Sequence, residues 1–158
     1  MLLEGSCHCQ AVRFSVESPH PYPFNLCYCG ICRKTQGSGG FAINLSGAHA
    51  TLKISGEEHV SVYRAVLEGG ERSEGRRHFC ARCGSALWAW DPRWPELVHP
   101  TASAIDTPLP VPPERTHLML AYRPDWVVEA VAPGDRCAQE YPDEAIADWH
   151  ERLGLTRR

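Results

Sequence analysis

A single, mainly β domain that ends in a short helix is the fold class predicted by the 158-residue sequence, on three observations. Short alternating or β-branched apolar segments recur through the N-terminal two-thirds, glycine or charged residues separate most of them, and helical spacing is convincing only near the C-terminus. The length suits one hydrophobic core and no compositional break divides it, so residues 1–158 are read as one domain.

Ala11-Val12-Arg13-Phe14-Ser15-Val16 alternates apolar and polar side chains, the period of a strand with one buried face. Pro19-His20-Pro21-Tyr22-Pro23 follows, and its three fixed φ angles and missing N–H donors predict an extended loop. The segment Cys27 to Cys32 opens onto Arg33-Lys34-Thr35-Gln36, room for one or two helical turns before Gly37, Gly39 and Gly40 end them. Strands are then expected over Phe41–Leu45, Leu52–Ile54, His59–Tyr63 and Ala86–Trp90. A proline-rich connection from Pro108 to Pro113 leads to Leu118-Met119-Leu120 and Trp126-Val127-Val128, expected to complete the core. At the end, Asp143 is a candidate cap for a helix in which Ala145, Ile146, Trp149 and Leu153 recur at helical spacing, and Gly154 is its stop.

The formal net charge of −3 argues against a nucleic-acid partner, which calls for a basic excess or a concentrated basic face. Arg33-Lys34, Arg72, Arg76-Arg77 and Arg157-Arg158 lie among acids and read mostly as solvated faces. No apolar run approaches the roughly 20 residues needed to span a bilayer, so no membrane partner is expected. The first residues carry neither a basic segment nor an apolar one of the kind that directs export, which predicts a cytoplasmic protein. Homo-oligomerisation is left open.

Eight cysteines in a small cytoplasmic chain point to metal ligation, because disulfides do not persist in a reducing compartment. They fall as Cys7-His8-Cys9, Cys27-Tyr28-Cys29-Gly30-Ile31-Cys32 and Cys80-Ala81-Arg82-Cys83, with Cys137 alone. Zinc takes four ligands tetrahedrally, and the Cys80/Cys83 pair followed by Gly84 is half of such a site. Either Cys7 with Cys9 or two thiols of the triplet completes it on spacing alone. We favour Cys7, Cys9, Cys80 and Cys83, because this leaves Cys27, Cys29 and Cys32 as one contiguous group for a second zinc. Three protein ligands leave a position for water or substrate, the mark of a catalytic site. A three-thiolate zinc is a weak Lewis acid suited to sulfur chemistry, with Arg33 and Lys34 available to offset its charge and attract an anionic ligand. The competing reading closes the second site with a histidine such as His8, His78 or His117 and leaves a zinc-stabilised binding module without turnover. Iron–sulfur spacings do not match, Cys137 reads as incidental, and the five tryptophans read as packing residues.

Gly5-Ser6-Cys7-His8-Cys9, the segment Cys27 to Lys34, Gly37-Ser38 and the segment Phe79 to Ser85 together resemble the glutathione-dependent formaldehyde-activating enzyme family, which also includes centromere protein V. The resemblance continues to Pro113, His117 and Trp126, and it departs at Tyr28, where many members carry histidine, and at Ala104-Ile105-Asp106. It implies several small coiled antiparallel sheets held by two zinc ions. Structural zinc is implied on Cys7, Cys9, Cys80 and Cys83, and catalytic zinc on Cys27, Cys29 and Cys32. The implied activity is that of a carbon–sulfur lyase acting in reverse, joining a small thiol, glutathione first, to an aldehyde such as formaldehyde.

Overall fold

The computed structural model describes residues 1–157, and strand dominates its regular elements. In chain order the strands are β1 (Leu2–Ser6), β2 (Arg13–Glu17), β3 (Asn25–Cys27), β4 (Ala42–Ile43), β5 (Gly47–Ala48), β6 (Lys53–Ser55), β7 (Val60–Tyr63), β8 (Arg76–Cys80), β9 (Ala86–Trp90), β10 (Leu97–Pro100), β11 (Thr116–Leu118) and β12 (Arg136–Cys137). Helix α1 (Gly30–Thr35) follows β3, and helix α2 (Ile146–Arg152) closes the chain. Three small sheets result, ordered β1-β2-β6, β5-β10-β9-β8-β7 and β12-β11-β3-β4. The first two are antiparallel throughout; in the third, β11 runs parallel to both β3 and β12. Among the described residues no helix is long and apolar enough to cross a membrane.

Alternation decides which side chains are buried. In β1 and β2 the inward residues are Leu3, Gly5, Phe14 and Val16, paired Leu3 with Val16 and Gly5 with Phe14. They pack with Val12, Leu45, Leu87, Trp88 and Val98 in a core shared with the five-stranded sheet, where the Phe14 and Trp88 rings lie 5.1 Å apart. Cys7 and Cys80 belong to this same core, so the first and third cysteine motifs emerge from its rim. The four-stranded sheet divides the second motif by the same period-two rule. Cys27 packs with Cys32, Ala42 and Leu118, whereas Leu26 and Tyr28 pack with Val127.

The terminal helix is shorter than its apolar spacing suggests. Its N-terminus is capped by Asp148, whose carboxylate accepts the Ala145 N–H at 3.3 Å, and not by Asp143. At its other end Gly154 has φ of +66°, the Gly154 N–H reaches Glu151 and the Leu155 N–H reaches His150, the wrapped ending glycine permits. Trp149 is fully buried and stacks on Phe24 at 3.9 Å with an 8° interplanar angle. The expected core segment at residues 126–128 is corrected by the structure. Only Val127 is buried; Trp126 and Val128 are exposed and form no strand.

Candidate metal centres

Two groups of cysteines converge, each with its sulfurs within 4.8 Å of one another: Cys7, Cys9, Cys80 and Cys83 in one, Cys27, Cys29 and Cys32 in the other. A tetrahedron with zinc–sulfur bonds of about 2.3 Å has edges of about 3.8 Å. The Cys7–Cys9 and Cys9–Cys80 sulfur separations, 3.6 and 3.8 Å, match that edge. Both groups can hold a metal ion, and the soft, all-sulfur donor sets fit zinc. Cys137 stands apart and exposed.

The four-sulfur centre is built from two chain reversals. After Cys9, Gln10 takes the left-handed region at φ of +62°, its N–H bonds the Cys7 carbonyl, and the Val12 N–H points at Cys7 Sγ at 3.2 Å. After Cys83, Gly84 does the same at φ of +77°, with its N–H on the Cys80 carbonyl at 2.8 Å. Glycine enters that region without strain, whereas Gln10 does so against steric cost, so the metal knuckle around Gln10 lacks the glycine that betrays the other. Ser85 joins the two reversals: its hydroxyl accepts the His8 N–H at 3.1 Å and lies 3.2 Å from Cys83 Sγ.

These sulfurs cannot all ionise together without a cation. The Ser85 hydroxyl and backbone N–H groups hold the Cys83 thiol down to about 5. Although the Ala11 N–H pulls the other way, burial and the neighbouring sulfurs push Cys9 up to about 11. A bound cation would reverse the latter shift and strip the remaining protons.

The three-sulfur centre lies where β3 ends and α1 begins. Cys27 is the last residue of β3, and Cys29 caps α1, its sulfur accepting the Cys32 N–H at 3.3 Å. Cys27 and Cys32 are buried and Cys29 is half-buried. Hydrogen bonds from Cys27 and Cys32 hold Cys29 down to about 2, and the same contacts together with burial push Cys27 far up. For Cys32 the bond with Cys27 pulls down, but Cys29 and burial leave it above its usual range. No histidine joins this trio among the described residues. His117 is engaged elsewhere, and His78 stacks on Trp88 at 5.1 Å.

Tyr28, between two of the sulfurs, points to the other face of the sheet. His117 Nε2–H donates to the Asp135 carboxylate at 3.3 Å, leaving Nδ1 to accept the Tyr28 hydroxyl at 3.0 Å. Asp135 also accepts the Arg115 and Ala132 N–H groups at 2.7 and 2.9 Å; burial pushes its carboxyl up, but these bonds prevail and hold it low. Tyr28, His117 and Asp135 thus form a buried network that braces the strand carrying Cys27.

Arg33 and Lys34 occupy the last turn of α1, the former half-buried and the latter exposed; among the described residues neither hydrogen-bonds a cysteine sulfur. The cation that does is Arg77 on β8, whose Nη2 lies 3.6 Å from Cys32 Sγ. Asn44 Nδ2 approaches the same sulfur at 3.9 Å. Sequence reasoning placed Arg77 on a solvated face. No periodic signal marked it: Arg77 and Cys80 are three residues apart, an odd interval that alternation places on opposite faces, and the charges of Arg76 and Arg77 disguise the strand.

The structure is similar to a crystal structure of a Rhodobacter sphaeroides protein, with a TM-score of 0.52 and 21% identity over 85% of this chain and 98% of that one, a likeness of fold. In sequence it is 67% identical over 155 residues, 98% of each chain, to a Halomonas elongata protein named "Putative glutathione-dependent formaldehyde-activating enzyme". A family model described as glutathione-dependent formaldehyde-activating enzyme matches residues 2–120, a span that contains all seven clustered cysteines. The chain belongs to the glutathione-dependent formaldehyde-activating enzyme family.

Proposed function

We propose that this protein is a two-zinc enzyme that joins glutathione, or another small thiol, to formaldehyde or a related aldehyde, and cleaves the adduct in reverse. The observation that carries the reading is the unequal pair of sulfur clusters, four in one and three in the other. Zinc on the four-sulfur set is structural. Cys27, Cys29 and Cys32 would hold the second zinc, which would supply an open coordination position and the Lewis acidity that lowers the pKa of an incoming thiol.

The net reaction is an addition without redox change. The carbon–sulfur bond forms as the carbonyl π pair moves to oxygen, which takes up a proton, and the thiol proton is released. The chain's part is positional. Cys29 at the start of α1 and Cys27 at the end of β3 set the sulfur triangle, and the Tyr28 network holds β3 against β11. Arg33 and Lys34 put two positive charges on the short helix that also carries Cys32, which favours approach of an anionic thiol.

The test follows exchange between formaldehyde and its glutathione adduct by NMR, using protein shown to hold two zinc ions. The reading predicts exchange well above the uncatalysed background. Background exchange from fully loaded protein rejects this substrate pair.

A further inference from the structure

We infer that Arg77 is a positioning residue that lets the three-sulfur centre accept an anionic thiol, by cancelling the charge the cysteines leave there. This rests on the proposed function, in which an outside thiol is the fourth ligand. Three thiolates around a divalent ion leave a net charge of −1, and a fourth thiolate makes it −2. A half-buried centre of that charge is costly unless a cation stands beside it.

The geometry provides one. Arg77 is half-buried on β8, in register with Tyr63 on one side and Ala89 on the other, and it reaches across from the five-stranded sheet to Cys32. Its other terminal nitrogen, Nη1, is buried with no hydrogen-bond partner. Such an orphan donor is expensive in an ordinary packing role, where guanidinium groups are normally satisfied by carboxylates or carbonyls. No acidic side chain pairs with Arg77 among the described residues, so its charge is directed at the sulfur cluster. Asn44 has the same signature: Nδ2 faces Cys32 Sγ and Oδ1 is buried without a partner.

The experiment uses the full chain loaded with cobalt(II) in place of zinc, so that sulfur-to-metal charge-transfer absorption reports each added thiolate. Glutathione is titrated into the wild type, Arg77→Gln and Arg77→Lys, with metal content measured in each. Arg77→Gln is expected to weaken glutathione binding at least about tenfold, the loss of one charge-assisted contact, and Arg77→Lys to recover part of it. Loss of the second metal from Arg77→Gln but not from Arg77→Lys supports the same role. Arg77→Gln binding glutathione like the wild type, or both variants losing the second metal, overturns the inference while leaving the proposed function standing. A wild-type spectrum that ignores glutathione overturns the open-site reading and this inference with it.

Discussion

Tyr28 separates two metal-ligand candidates in sequence, yet its hydroxyl serves a different network. Replacing it with phenylalanine leaves His117 Nδ1, buried beneath the sheet, without the donor now 3.0 Å away. An unpaired buried acceptor costs about 1–3 kcal/mol. Tyr28→Phe should therefore lose that much stability in denaturant unfolding, with both metals retained at saturating zinc. This is a bracing role no sequence pattern announced, because Tyr28, His117 and Asp135 are brought together only by the parallel pairing of β3 with β11 and the loop after it. The cysteines were legible for the opposite reason. Metal ligation needs sulfurs at short fixed spacings, so Cys7/Cys9, the triplet and Cys80/Cys83 declare themselves before any fold is known. Which pair meets which is a matter of tertiary structure, and the fold brings Cys7 and Cys9 to Cys80 and Cys83.

At the scale of elements, β8 links the two centres. It ends in Cys80 of the four-sulfur set and carries Arg77 against Cys32 of the three-sulfur set. Cys80→Ser should therefore unfold the domain or release both metals, whereas Cys29→Ser should release one and largely preserve the fold. Metal per chain and thermal unfolding of the two variants check this; equal damage to folding from both would remove the division of labour.

The terminal helix makes a separate prediction. His150 is fully buried, donates from Nδ1 to the Ile146 carbonyl at 2.8 Å, and accepts the Tyr22 N–H on Nε2 at 3.2 Å. Burial holds its pKa down to about 4, so it stays neutral when an unfolded imidazole is already charged. Between about pH 6.5 and 4 the unfolded chain binds the extra proton, so stability is full above this window and falls as pH drops through it, by up to about 3 kcal/mol. Melts of the wild type and His150→Gln across this range should converge toward acid, because the variant lacks that slope; parallel curves would contradict it. The sequence anticipated β9, β7 and β6 to within a residue at either end from their length and residue preference, and this helix from its apolar period with a start two residues early. It did not reveal β1, β3, β5, β8, β10 or β12. Two-residue strands have no period to read, and Pro100 disguises the end of β10.

For the whole molecule, three sheets of three, five and four strands share modest cores whose edges are stitched by cysteine. Cys7 and Cys80 lie in the larger core and Cys27 and Cys32 in a smaller one, so the metal centres are continuous with the packing. Stripping all metal with a strong chelator should accordingly lower the unfolding temperature and loosen the rim of the first core, which readdition of zinc restores. Among the described residues no disulfide joins any of the eight cysteines.

X-ray absorption at the zinc edge, on two-zinc protein with and without glutathione, measures the coordination difference directly. One cluster of four sulfurs and one of three predict an average of about three and a half sulfurs per ion, rising to about four when glutathione is added. An average of four in its absence, or a value glutathione does not move, contradicts it.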